Sequence, residues 1–197
     1  MIGEFLLNFH PSSNNNIERY LEENGMEVVM PNLFYNLHRE YMLEIDQKEE
    51  YHVSHPAIKI LLTKLSNKYI KHVIRKVDAI GARHPLWEEK TPLEEIAQTS
   101  QHIIDKTFTA GEGWMIAGEI LHNASHGVNS FLILQPFGCL PNHVTGRGLV
   151  KAIKKEKPHI QILALDYDPD TSFANVENRL QMLIINTRER ERLANTV

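Results

Sequence analysis

The chain has 197 residues, enough for a substantial core without disulfides or structural metals. Lys and Arg total 21 against 25 Asp and Glu, a formal charge of -4, so no uniform positive field attracts polyphosphate and a generic nucleic-acid binder is disfavoured. The single cysteine, Cys139, excludes an intramolecular disulfide framework and fits a reducing cytoplasm. No apolar run approaches the ~20 residues of a membrane span, and MIGEFLLNFHPSS lacks the basic region and cleavage site of a signal peptide, so a chain neither exported nor anchored is expected.

Residues 3–9 read as a short apolar strand that stops at His10 and Pro11, with a Ser/Asn run supplying N-caps for a helix. In that helix Ile17, Tyr20 and Leu21 fall at i, i+3, i+4, and Asn24 and Gly25 give the stop signal. Residues 26–30 read as a second strand ended by Pro31. The spacing favours parallel pairing through a right-handed crossover.

From Asn32 to about Asp105 the pattern is helical, with breaks expected at His55 and Pro56, at residues 81–85, and at Thr91 and Pro92. This is a helical insertion, residues 32–105, within a single α/β domain spanning 1–197. Stripes such as Leu61, Leu65, Val73 and Val77 read as core or dimer surface. A helix is expected over residues 111–126, ended by Gly127. SFLILQ at 130–135 and IQILAL at 160–165 are continuous apolar runs of the kind buried on both faces of a parallel sheet. A Pro/Gly loop at 136–148 and a basic helix to about Lys157 lie between them. Ser172 caps a last helix in which Val176, Leu180, Leu183 and Ile184 face inward. The expected fold class is therefore α/β, a three-layer open and mainly parallel sheet of four strands, Rossmann-like or flavodoxin-like, with a helical insertion.

Ligands of open α/β sheets sit beyond the carboxyl ends of the strands. Here those ends are residues 9–12, 30–32, 135–139 and 166–169, which places the unusual polar and reactive side chains on one rim. Cys139 lies in a Gly/Pro loop before a helix, where backbone N–H groups favour thiolate, the metal-ligating form. A buried small residue is the commoner fate of a free cysteine. One thiol does not by itself hold an iron-sulfur cluster, which takes about four protein ligands.

Several segments occur in order: GEGW at 111–114, GE at 118–119, QPFGCLPNH at 135–143, GRG at 146–148, DYDPD at 166–170 and Asn175 with Asn178 and Arg179. This series resembles the large activase-like family, the activators of 2-hydroxyacyl-CoA dehydratase or CoA-substrate-specific enzyme activases, in the region resembling the dehydratase cluster-binding subunits. The resemblance covers most of the chain and is strongest over about 111–183. It implies that Cys139 is a ligand of a [4Fe-4S] cluster in the complete protein. It further implies that Phe137, Gly138, Pro141, Asn142 and His143 shape the pocket, that Asp166 and Glu112 orient or tune it, and that Arg179 stands among the cofactor-binding residues. Lacking other cysteines and a glycine-rich nucleotide fingerprint, the chain is expected to hold neither a complete cluster nor a complete active site. Its expected partners are the remaining modules or subunits of an ATPase/activase system, with an acyl-CoA as candidate ligand and a second copy of the chain as a further candidate. Neither nucleic acid nor membrane is expected. The chain then reads as a domain of a longer protein or as a split gene product. Two other readings stand beside this one: a non-catalytic docking or regulatory domain, and a CoA or nucleotide binder without redox chemistry.

Other constellations are weaker. Cys139 and His143, with Asp166 and Asp168, offer zinc donors, but structural zinc sites supply spaced Cys/His pairs. Glu112 and Glu119 stand two turns apart on one expected helix face and can both address the Cys139 loop. Arg179 is placed to reach the acidic turn or a ligand phosphate, and a structural salt bridge to Asp166 or Asp168 is an equal reading. Arg147 with Lys151, Lys154, Lys155 and Lys157 can attract an anionic CoA tail, although such faces are commonly only solvated. His10 and His143 are the two histidines at expected strand-end loops. Trp114, Phe137 and Tyr167 are expected around the loop or in the core.

Overall fold

The computed structural model describes residues 1–85, 87, 90–168 and 172–194, and the chain is a mixed α/β protein with a parallel open sheet. It divides into two compact units, one of Met1–Pro31 with Ile96–Val197 and one of Asn32–Glu95. No helix among the described residues is long and apolar enough to cross a membrane.

The first unit holds three described strands, β1 (Ile2–Gly3), β2 (Ser130–Pro136) and β3 (Gln161–Tyr167), in the order β1-β2-β3, all parallel. β2 and β3 are the two continuous apolar runs read from sequence, and they pair along their full length from Ser130 with Gln161 to Pro136 with Tyr167. Alternation divides β2. Leu132 and Leu134 join Leu165, Tyr167, Leu7, Ile17, Leu21, Val176, Leu180, Leu183 and Ile184 in one buried cluster. Ile133 points the other way, where Gly146 fits against it and Ile116. The helices of this unit are α1 (Phe5–Phe9), α2 (Ile17–Glu23), α6 (Met115–Ser125), α7 (Val150–Glu156) and α8 (Phe173–Ala194).

Two expected strands take other forms. Residues 3–9 do not make a strand: β1 ends at Gly3, and Glu4 caps α1 by accepting a hydrogen bond from the Leu7 N–H at 2.8 Å. A five-residue apolar run fits either periodicity, and the carboxylate cap decides for helix. Gly3 is required where it stands, because at φ 117° an added Cβ would lie 2.3 Å from the Leu134 carbonyl oxygen. Residues 26–30 likewise form no sheet strand, although Val29 accepts from the Met1 amino group at 2.6 Å. Residues 9–12 and 30–32 are therefore not strand ends.

The remaining expectations for this unit largely hold. α2 stops at Asn24 and Gly25, with Gly25 at φ 74°. α8 buries Val176, Leu180, Leu183 and Ile184. α6 begins four residues later than expected, because Gly111 and Gly113 have positive φ and turn the chain before Met115. Glu112 therefore lies in a turn, not on the helix with Glu119. Pro169 and Asp170 lie outside the described residues.

The second unit contains α3 (Tyr35–Glu49), α4 (Ala57–Gly81) and the start of α5 (Leu93–Ser100), with breaks at Pro56, after Gly81 and before Leu93, as expected from sequence. α3 and α4 pack together. Glu44 accepts from the Thr63 hydroxyl at 2.5 Å and pairs with Lys59 at 2.9 Å, which holds its carboxyl below the ordinary value. Burial pushes the His38 imidazole below its ordinary value, although Glu94 opposes the shift. Leu61 and Leu65 are exposed and do not belong to the core.

Candidate functional site

β2 and β3 end side by side, and their register makes Gln135 and Asp166 direct cross-strand partners. Gln135 is fully buried, and its Nε2 donates to Asp166 Oδ1 at 2.5 Å. A glutamine closing an apolar strand beside an aspartate closing the next is a polar pair anchored by the sheet.

Beyond Pro136 the chain makes a tight turn in which the Cys139 N–H donates to the Pro136 carbonyl at 3.1 Å and Gly138 has φ 74°. Positive φ at that third position is the requirement of a type II turn and explains the glycine. A π-helical segment, Asn142–Gly146, and a short 3-10 segment, Arg147–Leu149, then lead into α7. The extra residue per turn of a π-helix is common at functional sites. Here the segment carries two side chains back to the sheet end. His143 Nδ1 donates to the Cys139 carbonyl at 2.9 Å, which leaves Nε2 facing Gln135 Nε2 at 3.4 Å and Asp166 Oδ1 at 3.3 Å, where it pairs with the carboxylate only as the imidazolium. Arg147, one turn on, donates to Asp166 Oδ2 at 3.2 Å. Asp166 thus joins Gln135, His143 and Arg147.

Cys139 is half-buried and free. Asn142, fully buried, donates through Nδ2 to Cys139 Sγ at 3.2 Å and to Glu112 Oε2 at 2.9 Å. Its Oδ1 has no hydrogen-bond partner. The other Glu112 oxygen accepts from the Phe5 N–H at 3.3 Å, tying the sulfur's support to the start of α1. The amide N–H directed at sulfur orients it, and the Glu112 carboxylate sets the orientation of that amide. Phe137, Leu140 and Val144 surround this sulfur in sequence and are exposed, Phe137 by 72% and Leu140 by 69%.

Of the candidate residues, Cys139, Asn142, His143, Asp166 and Glu112 form two linked networks at the carboxyl end of the sheet. Pro141 packs against Gly111 and accepts from the Thr145 hydroxyl at 2.7 Å. Arg179 is not among them: it donates to the Ala164 carbonyl at 2.7 Å. Glu119 has no hydrogen bond to the described loop residues and lines a separate cleft. Asp168 follows β3 and is exposed, and His10 caps the end of α1. Trp114 is buried, Tyr167 belongs to the cluster on the α8 side, and burial pushes its phenol up to about 12. Phe137 does not shield the loop from water. Sequence reasoning missed Gln135 and the Arg147–Asp166 pair. The i+4 spacing of His143 and Arg147 carried the latter signal.

Among the described residues, no group of three His, Cys, Asp or Glu side chains is placed to hold a metal ion. The donor set tests the cluster directly: one soft sulfur with an amide donor fits one ligand position of a thiolate-bound cluster and does not fit a complete set. Comparison with family models, curated proteins and solved structures returns no match.

Proposed function

We propose that the chain is a cluster-proximal module of a 2-hydroxyacyl-CoA dehydratase/activase-like redox protein, supplying one cysteine ligand and its loop to low-potential electron transfer. The observation that carries this reading is the half-buried Cys139 sulfur at the carboxyl end of β2, receiving the Asn142 N–H beside the Asp166 network. The cluster, when bound, supplies one-electron chemistry, with its other ligands coming from partner modules. The chain's own residues do the positioning. Asn142 holds the sulfur, Glu112 fixes Asn142, and Asp166 with Gln135, His143 and Arg147 locks the π-helical segment to the sheet. Hydrogen bonds to a ligating sulfur raise a cluster's potential, which assigns Asn142 a tuning role. A three-layer, Rossmann-like arrangement and a cytoplasmic location belong to the same proposal.

A second reading, a docking domain without cluster chemistry, is favoured by the exposed apolar side chains of Phe137, Leu140 and Val144. The two separate in one experiment: anaerobic reconstitution of the complete assembly, with iron and sulfide counted and the EPR spectrum recorded, for the parent and Cys139→Ser. Ligation predicts lowered cluster occupancy with the far-UV circular dichroism unchanged. Retained iron stoichiometry and an unchanged EPR signal refute it and leave the docking reading.

A further inference from the structure

The first unit contains a second candidate site, lined by residues other than those of the Cys139 loop. A cleft lies along β1 and the start of β2. Leu21, Met26, Val28, Phe131 and Leu183 give it apolar walls, and Glu119 and Asn123 line it from α6. Glu119 is 5% exposed, and its Oε1 has no hydrogen-bond partner. Asn123 does not supply one, since its Nδ2 donates to the Glu119 backbone carbonyl at 2.8 Å. An apolar cleft containing a sealed, unpartnered acceptor leaves one group to be satisfied by whatever enters.

The charges facing this cleft select the sign of that group. No Lys, Arg or His side chain lines it, whereas Glu27 does so together with Glu119. Where Met1 is the amino terminus, its amino group is held by the Val29 carbonyl, and burial pushes it down to about 6, opposed by Glu119 and Glu18. Burial therefore disfavours its charged form. Burial raises the Glu119 carboxyl to about 8, opposed by the Met1 amine and reinforced by Glu112. A donor that brings its own positive charge converts the acid to a paired carboxylate, and charge-assisted hydrogen bonds are about twice as strong as neutral ones.

We propose that this cleft binds small aliphatic primary amines, with the ammonium group on Glu119 and the hydrocarbon chain against the apolar walls. Alkylammonium ions keep their charge between pH 6 and 8, as a lysine side chain does. Binding must then displace the proton of Glu119. Affinity for the amine is expected to rise about 50-fold from pH 6 to pH 8, following the carboxylate fraction of a group that titrates near 8. A Met1 that is the amino terminus gains charge at lower pH and acts in the same direction.

Titration calorimetry of the whole chain with hexylammonium chloride, hexanol and sodium hexanoate at pH 6 and pH 8 tests the site. The expected result is tightest binding of hexylammonium at pH 8, loss of about one proton per amine near pH 7 across buffers of different ionisation enthalpy, and no pH dependence for hexanol. In Glu119→Gln the amine's preference and its pH dependence disappear. Hexanol binding as tightly as hexylammonium in the parent chain at pH 8, no detectable amine binding, or an unchanged pH dependence in the variant each overturns the proposal. The parent-chain comparison and the proton count stand even where the variant does not fold.

Discussion

The burial of Glu119 makes a prediction about stability that can be worked through from its surroundings. An unfolded glutamate loses its proton near 4.5, while Glu119 in the folded chain keeps it until about 8. Between those values the native state binds one more proton than the unfolded state, so this group's contribution to stability falls as pH rises, by about 1.4 kcal/mol per unit. Across the whole window the loss is roughly 5 kcal/mol. In a chain whose amino terminus is Met1, the terminal amine opposes this between about 6 and 8, because its value is lowered from 8.0 and the unfolded state there binds the extra proton. His38, lowered from 6.5, also loses its stabilising contribution as pH falls. The raw profile of the protein therefore mixes three slopes. Comparing Glu119→Gln with the parent cancels the His38 slope, whereas the Met1 amine, which Glu119 raises, sits lower in the variant and adds to its gain with rising pH. The variant should gain on the parent by about 1.4 kcal/mol for each unit from pH 5 to pH 8 and hold a constant difference above that. Any cost of burying the glutamine amide is the same at every pH and does not enter the slope. Urea denaturation at unit intervals from pH 5 to pH 9, with m-values checked for constancy, reads this directly. A variant-minus-parent difference that does not change with pH would show that Glu119 is ionised in the folded protein, and the account of its burial would be wrong.

Other perturbations probe the sheet end and the core. Asp166→Ala should cost about 1–3 kcal/mol in urea denaturation, because the fully buried Gln135 amide loses its carboxylate acceptor, and a change under 0.5 kcal/mol would contradict that network. Gly3→Ala forces a side chain into the Leu134 carbonyl at positive φ and should destabilise by roughly 3 kcal/mol, with amide exchange at Ile133 and Leu134 accelerated as β1 comes away. Leu180→Ala, in the buried cluster, should cost about 2–5 kcal/mol, while Met182→Ala on the exposed side of the same helix stays within about 0.5 kcal/mol. Asn142→Ala should change the rate of Cys139 alkylation by iodoacetamide several-fold, since the N–H that orients the sulfur is lost, and an unchanged rate would remove Asn142 from its supporting role.

What was legible in the sequence follows from the length of each physical signal. β2 and β3 are long apolar runs bounded by Pro and Gly, and α8 repeats its inward positions over several turns, so both periods are expressed often enough to be read. The segment FLLNF is too short for that. Its conformation is settled by one carboxylate at its head, Glu4, and by a β1 that ends where Gly3 meets the Leu134 carbonyl. Residues 26–30 have strand composition, but β-propensity expresses a fit to neighbouring strands more than a backbone preference, and this segment joins no ladder.

The site divides along the same line, and the division bears on how its parts act together. Cys139, His143 and Asp166 were found because they close strands or sit in a Pro/Gly loop. Gln135 escaped notice because a polar residue at a strand terminus looks unremarkable until the register sets it opposite Asp166. That register couples two features which sequence treats as separate. Asp166 holds Gln135 from the neighbouring strand and His143 and Arg147 from the π-helical segment, while Asn142 in that segment holds the sulfur. Loosening Asp166 therefore frees the segment that positions Asn142, so an Asp166 substitution should alter Cys139 reactivity without touching the sulfur. Asp166→Asn keeps the shape and removes the charge that holds Arg147. If Asp166→Ala changes the iodoacetamide rate and Asp166→Asn does so less, the coupling runs through the geometry of the segment. If both variants leave the rate at the parent value, the two networks are neighbours without communication, and Asn142 is held by Glu112 alone.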